Sequence, residues 1–411
     1  MTEIIASEGL IPQSTVTVDT VTLDTVTGET VTVETVTTVD GVAVLGPCYE
    51  RLNRVTANTL PFALHEWHVG WCRHFLNCNP RIHDTPLFFV LRNSARVCVA
   101  IVPFVVSRRW VGPLKIVSVS LLGADPAITE VRTALIEPGY ESLTALAVRA
   151  QLEKVPDWDW IHWVGISDTF AEALTNVGCA LQRQPALADY VLDMPPSWEE
   201  FRRGLKRNIR ESLRHCYNSL KRDNHRFELQ VIEEPRDVRA ALDRFLALHI
   251  MRTRAETSVM HPNRFASHVS RDFLYEVCER LAARGAVRIF ELKVGAHIVA
   301  SRIGFAVGSS LYLYYSGYDT AWSRYSVMTT TLAEAIKYAI AQGFKTVNLS
   351  PTKDVAKTRW SPRQVDYKAA LEDRGRLRSR WLCRAYMKTR SAADPQSWYF
   401  KYLIPVRRDW H

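Results

Sequence analysis

From Phe227 to Pro351 the sequence switches between strand and helix patterning in a defined order. "FELQVIE" has the composition of a strand. "PRDVRAALDRFLALHIMRTRAE" predicts a helix with Pro at its first turn, and "FASHVSRDFLYEVCERLAARG" a second helix stopped by Gly285. "AVRIFELKV", "HIVASRIGFAV" and "SSLYLYYSGYD" follow as a three-strand meander with Gly295 and Gly308 in its turns. A helix, "SVMTTTLAEAIKYAIAQG", and a short strand, "TVNLS", come next, and "VDYKAALE" predicts a last strand. This order predicts an α/β (α+β) domain over residues 196–372, with a mixed, mostly antiparallel sheet flanked by helices. The step from strand to helix at Tyr314–Ile336 is a common place to hold a phosphate.

A chain of 411 residues has room for two or three domains. Residues 45–195 repeat the αβ character: "LHEWHVGWCRHF" predicts a helix, "LFFVLRN", "RVCVAIVPFVVSRRW" and "KIVSVSLLG" strands, "SLTALAVRAQLEKV" a helix, and "DWIHWVGI" and "DYVLDM" strands. The stretch "SWEEFRRGLKRNIRESLRHCYNSLKRDN" predicts a helix capped by Ser197, with Glu200 in capping-box position. Phe201, Leu205, Ile209, Leu213 and Tyr217 give it one apolar stripe, and basic residues including Arg207 and Arg210 cover the rest. That basic face is either solvated or turned to an anion. Residues 373–411 form a basic extension whose helix, "RGRLRSRWLCRAYMKTR", suits a membrane surface or docking on the body.

Charge is unevenly distributed. Residues 1–50 carry eight carboxylates and no Lys or Arg, whereas the rest holds 52 basic and 35 acidic groups, a balance of +17. A basic body suits a nucleotide cofactor, RNA, an acidic glycan or a membrane surface. Residues 15–40 repeat TVTVD, TVTLD, TVTGE and TVTVE. An odd period sends equivalent residues to alternate faces of a strand, so no single apolar face results. Residues 1–44 are therefore expected to be a disordered acidic tail. The eight cysteines form no Cys-x-x-Cys pair and sit in apolar stretches, as buried thiols in a reducing compartment do. His65 and His68 lack the spacing of a metal-binding helix, and no metal site is expected. The acidic N-terminus lacks an apolar run and no stretch nears the ~20 apolar residues of a membrane span. A cytoplasmic protein is expected.

The sequence resembles the cellulose-biosynthesis-associated acetyltransferases of the CelD/BcsL type within the GNAT superfamily, related to the FemABX peptidyltransferases. "LHEWHVGWCRHF" with "LFFVLRNSARVCVAIVPFVVSRR", "SWEEFRRGLKRNIRESLRH", "LYLYYSGYDTAWSRYSVMTTTLAEAI" and "KDVAKTRWSP" carry the resemblance, over roughly residues 45–370. It implies tandem GNAT-like halves, the second being the transferase domain. It also implies an acyl-CoA donor, acetyl-CoA or a longer homologue. The donor would lie beside Tyr314 and Ser316 and the helix start at Arg324, Tyr325, Ser326, Val327, Met328 and Thr329. GNAT enzymes carry small residues where Val327 and Thr329 stand, so the backbone here is expected to close less tightly on a phosphate.

Acyl transfer needs alignment, removal of one proton and stabilisation of an oxyanion. Asp319 is the first candidate base, with Tyr315 and Tyr318 as relays and Asp354 as second candidate. Asp319 also suits a turn, and alternate tyrosines on a strand also suit packing. Arg207, Arg210, His249, Lys357, Arg359 and Trp360 are the candidate acceptor-binding residues, the last three as the Lys-x-Arg-Trp of the resemblance. The function expected is acyl transfer to an amine or hydroxyl of a saccharide, cell-envelope precursor or small metabolite. The alternatives are amide formation from aminoacyl-tRNA and a non-catalytic binding protein.

Overall fold

The structure, a computed structural model, describes residues 16–19, 30–78, 82–123, 128–254, 262–351 and 353–391. In chain order the regular elements begin with β1 (Val16–Asp19), β2 (Val31–Val36), α1 (Val39–Ala43), α2 (Gly46–Val55), α3 (His65–Phe75), β3 (Ile82–Asn93), β4 (Cys98–Val111) and β5 (Leu114–Leu121). They continue with β6 (Leu135–Ile136), α4 (Glu141–Lys154), β7 (Trp160–Ile166), α5 (Asp168–Asn176), β8 (Gln182–Asp193), α6 (Trp198–Gly204) and α7 (Arg207–Arg222). Then come β9 (Phe227–Ile232), α8 (Pro235–Thr253), α9 (His268–Ala282), β10 (Val287–Val294), β11 (His297–Val307), β12 (Ser310–Tyr318) and α10 (Val327–Ala341). The last are β13 (Thr346–Pro351), α11 (Val355–Thr358), β14 (Arg363–Asp373) and α12 (Leu377–Ser391).

One sheet runs through the molecule in the order β1-β2-β3-β4-β5-β7-β14-β8-β13-β12-β11-β10-β9, with β6 beside β4. It contains the same pattern twice. Strands β2 to β5 are antiparallel and β7 joins β5 in parallel. Strands β9 to β12 are antiparallel and β13 joins β12 in parallel. A parallel neighbour needs a crossover, which α4 and α10 supply at equivalent places. The halves then exchange strands: β14 pairs with β7 of the first half, and β8 with β13 of the second. The fold is thus a tandem of GNAT-like halves, each a mixed, mostly antiparallel sheet flanked by helices.

Residues 31–44 correct the expectation of a disordered tail. Val31, Val33, Val36 and Val42 are buried. Val31 and Val33 enter the core shared with Phe89 and Phe104, while Val36 enters the core of Trp67 and Phe88 on the other face. A strand covered on both faces needs no single apolar side, so the odd repeat is no obstacle. Residues 1–15 and 20–29 lie outside those described. The expected single helix after Ser197 is also corrected. Ser197 does cap it, accepting from Glu200 N at 3.2 Å. The chain then turns extended at Leu205 (φ −72°, ψ 146°), directly after Gly204, and restarts as α7.

A continuous core joins the halves. Trp67, Trp71 and Phe75 of α3 pack with Phe245 of α8, Phe273 and Val277 of α9, and Tyr312 and Tyr314 of β12. Gly70 allows α3 to approach α9 closely, because a Cβ there would lie 2.5 Å from Val277 Cγ2. On the opposite face of the second half, α6, α7 and α10 cover Leu311, Leu313 and Val347.

Candidate active site

The two parallel strand pairs part in the same way. β12 and β13 pair only over Ser310–Thr346, Leu311–Val347 and Tyr312–Asn348, and β5 and β7 only over Ser118–Trp160, Val119–Ile161 and Ser120–His162. Beyond these pairs each half opens a fork. Beside the second-half fork, β12 carries a bulge: Arg302 pairs with Ser316 and Gly304 with Leu313, so Tyr314 and Tyr315 face the single residue Ile303. Bulges leave backbone groups unpaired and recur beside active sites.

The segment from Ile128 to Ala134 lies along the first-half fork. Gly165 of β7 has φ +80°, and a Cβ there would come within 1.6 Å of the Arg132 carbonyl oxygen. Trp67 Nε1 donates to Thr129 Oγ1 at 3.1 Å, Tyr314 to the Ile128 carbonyl at 2.5 Å, and Tyr312 to Glu130 Oε2 at 2.8 Å. This segment thereby carries Glu130 to the second-half fork.

The crossover helices differ at their positive ends. At α4, Glu141 stands in the first turn and accepts from Gly139 N at 2.8 Å. At α10 the first turn has no acidic residue and no side chain caps it. Its cap, Ser326, is left-handed (φ 53°, ψ 42°), a conformation costly for a residue with a side chain. Arg359 reaches this end and donates to Thr329 Oγ1 at 2.6 Å. A helix N-terminus flanked by a guanidinium favours an anion. Val327 is buried in a cluster with Tyr325, against which Met328 packs. Arg324 lies over the Tyr325 ring at 4.6 Å, and Tyr325 donates to Asp223 at 2.9 Å.

A charged cluster lines the second-half fork. Asp189 of β8 is fully buried; its Oδ2 accepts from Asn348 at 2.7 Å, and its Oδ1 makes no hydrogen bond. Burial pushes its carboxyl up to about 6, against the hydrogen bond from Asn348. Glu130 is pushed up to about 8 by burial, opposed by the charge of Lys357 and by Tyr312. Lys357 follows Asp354, the cap of α11, and donates to Ser350 Oγ at 3.0 Å and to the Pro351 carbonyl. Burial lowers the Lys357 ammonium, and Glu130 partly restores it. Ser350 is left-handed at φ 67° and donates its N–H to Asn348 Oδ1 at 2.8 Å. Strained backbone, titrating groups shifted from their ordinary range and orphaned polar atoms meet at this fork, a combination that makes it the candidate site.

The structure brings some expected residues together here and leaves others apart. His249 Nδ1 is 3.1 Å from the Ser316 carbonyl, which only accepts, so this nitrogen carries the proton. Tyr315 packs edge-on to His249 at 5.9 Å. Tyr318 packs beside Ala300 and Val299. Asp319 caps the 3-10 turn Thr320–Tyr325, accepting from Ala321 N at 3.0 Å, and Asp354 accepts from Ala356 N at 3.0 Å. Arg207 pairs with Glu211 at 2.7 Å on the exposed side of α7, and Arg210 is exposed there too. Trp360 is buried in the core beside Phe201, with ring centroids 6.4 Å apart. His65 and His68 meet the Val42 carbonyl and the Tyr49 hydroxyl. α12 docks on β14 through Leu382 and Cys383, leaving Leu377 and Trp381 exposed. Glu130, Asp189, Arg252, Arg302, Tyr312 and Asn348 were not anticipated. The available signal was a polar residue inside an apolar strand: Asp189 in "ALADYVLD", Arg302 in "VASRIGFAV" and Asn348 in "TVNLS".

Residues 207–368 match the family model described as an acetyltransferase (GNAT) domain. Over that stretch the second half is similar to the acetyltransferase (GNAT) domain family. Among solved structures, the chain is similar in fold to FemX, at 10% identity and a TM-score of 0.54 over 79% of this chain and 95% of that one. It is also similar to L-PGS from Bacillus licheniformis (12% identity, TM-score 0.49, 84% and 95% covered). A third is a tandem GNAT protein from the clavulanic acid biosynthesis pathway (11% identity, TM-score 0.42, 84% and 99% covered). A comparison with curated proteins found no match. Among the described residues no helix is long and apolar enough to cross a membrane, and no group of three or more His, Cys, Asp or Glu side chains is placed to hold a metal ion.

Proposed function

We propose that the chain moves an acyl group from acyl-CoA to an amine or hydroxyl, on a saccharide or cell-envelope precursor, at the second-half fork. The observation that carries this reading is the contrast between the forks. The α10 end is free of acidic side chains and flanked by Arg359, whereas the α4 end already holds Glu141 and its fork is lined by the chain's own loop. The CelD/BcsL-type motifs support the saccharide class of acceptor.

In this reading α10 and Arg359 hold the donor's phosphates and the acyl arm follows β12. The acceptor nitrogen or oxygen attacks the thioester carbonyl carbon, and its proton passes to the Glu130 carboxylate. Backbone donors at the bulge and the Lys357 ammonium offset the oxyanion. The C–S bond then breaks and CoA leaves. Glu130 suits the base role because its raised pKa matches the working range of a general base. Asp319 and Asp354 spend a carboxylate oxygen on capping.

Incubation with isotope-labelled acetyl-CoA and a panel of amino sugars, sugars and amines, read by mass spectrometry, tests this. Labelled acceptor is expected, and its loss in Glu130→Gln. Labelling only when an aminoacyl-tRNA replaces acetyl-CoA would transfer the reading to that donor.

A further inference from the structure

α12 has two faces of opposite character. On one, Ser379, Leu382 and Cys383 are buried, Tyr386 stacks on Trp160 with ring centroids 5.0 Å apart, and Met387 packs into the same cluster. On the other, Leu377, Trp381, Arg384 and Lys388 recur every three or four residues, with Arg380 beside Trp381, and all are exposed. Leu377 is 85% exposed and Trp381 66%. From Leu377 to Lys388 the helix holds four cations and no carboxylate. Arg378 and Arg380 also reach back to the body, to Asp159 at 3.4 Å and Asp373 at 3.8 Å.

The neighbouring hairpin continues this surface. Val111 and Leu114 of the β4–β5 hairpin pack against the buried side of α12, and Arg378 donates to the Lys115 carbonyl. The same hairpin carries Trp110, 48% exposed, and an exposed Lys115. Trp110, Leu377 and Trp381, three of the large apolar side chains left in solvent, thus belong to two elements in contact. Single exposed apolar residues are ordinary; a group of them edged by cations points to a partner. The sequence after α12 keeps the same mixture, with Trp398, Tyr399, Phe400 and Tyr402 among Lys401, Arg407 and Arg408.

We propose that the outer face of α12, with the β4–β5 hairpin beside it, binds the surface of a membrane that contains anionic lipids. Trp381 and Leu377 enter the boundary between headgroups and acyl chains, where an amphipathic ring is favoured. The stems of Arg380, Arg384 and Lys388 lie along that boundary while their charges meet lipid phosphates. Charge and apolar exposure together select this partner. A nucleic acid would leave Leu377 in water, and an apolar protein groove would gain nothing from a carboxylate-free row of cations. The proposal does not rest on the reading of the fork as the transfer site.

Cosedimentation of the full chain with vesicles of equal parts phosphatidylcholine and phosphatidylglycerol, and with vesicles of phosphatidylcholine alone, tests this. The wild type is expected to bind the mixed vesicles at least about tenfold more tightly than the neutral ones, and less tightly as salt is raised. Trp381→Ser, and Arg384→Gln combined with Lys388→Gln, are each expected to bind the mixed vesicles at least about tenfold more weakly. Arg203→Gln combined with Arg214→Gln, on the exposed basic side of α6 and α7, should bind as the wild type does. All variants should keep the wild-type melting temperature, because the altered side chains are exposed. Equal binding by wild type and Trp381→Ser would overturn the proposal. So would binding lost in the α6–α7 variant but kept in the α12 variants, which would assign the lipid contact to the other basic face. Absence of vesicle binding by the wild type would overturn it too. In that case a lowered melting temperature in Trp381→Ser would assign the face to the chain's own residues 392–411, or to a second copy if the loss depends on protein concentration. If Trp381→Ser does not fold, Leu377→Ser carries the same comparison.

Discussion

Tyr312 of the second half donates a 2.8 Å hydrogen bond to Glu130 of the first, and this bond ties the catalytic reading to the two-half architecture. Glu130→Gln preserves size and the acceptor for Tyr312 but cannot take a proton. Its kcat is expected to fall by about 10²–10⁴-fold with little change in KM or melting temperature. In the wild type, kcat/KM should climb with pH towards about 8, because the carboxyl is raised and a base works only when ionised. A Glu130→Gln enzyme with wild-type kcat would remove Glu130 from the chemistry.

Gly165 packs against the backbone of Arg132, in the segment that carries Glu130. Gly165→Ala places a methyl 1.6 Å from the Arg132 carbonyl oxygen at φ +80°. Overpacking of this kind costs roughly 1–3 kcal/mol or more, and the displaced segment carries Glu130 with it. Both the melting temperature and kcat should drop. Gly112→Ala is the control: its φ is +59° but nothing lies within 4 Å. It should cost about 1–2 kcal/mol and leave kcat unchanged. Equal kcat in both variants would show that the Ile128–Ala134 segment does not position the site.

Asp189 gives a pH signature in stability. Its folded pKa, about 6, lies above the ordinary carboxylate value of 3.8, so the fold favours the protonated form. The associated stability is present below the unfolded pKa and is lost as pH rises through about 6. Asp189→Asn stays neutral, so its melting temperature should gain on the wild type as pH rises. The gain should reach about 2 kcal/mol between pH ~4 and ~8. A constant difference across that range would mean that Asp189 is not titrating there.

Much of the second half is legible in the sequence because its helices and strands follow one another locally, each with its own period and stop signal, such as Gly285. The strand exchange is not, since "DYVLDM" and "VDYKAALE" show strand composition but nothing about which sheet they join. The valine repeat misleads for a related reason: only the presence of cover on both faces makes β2 a core strand. Of the residues at the second-half fork and the α10 end, Lys357 and Arg359 stand in a motif that the sequence shows. Glu130 does not, because it sits in an irregular segment and gains its place from Tyr312, 182 residues away. Trp360 shows the opposite error, an aromatic between cations that the fold uses for packing.

The central claim is that the second half, and not the first, holds the acyl donor. Calorimetric titration with acetyl-CoA of the wild type, Arg359→Gln at α10 and Glu141→Gln at α4 tests it directly. One acetyl-CoA per chain is expected, bound at least about tenfold more weakly by Arg359→Gln and unchanged by Glu141→Gln. Binding that is indifferent to Arg359 and altered at Glu141, or no binding by any CoA thioester, would contradict it.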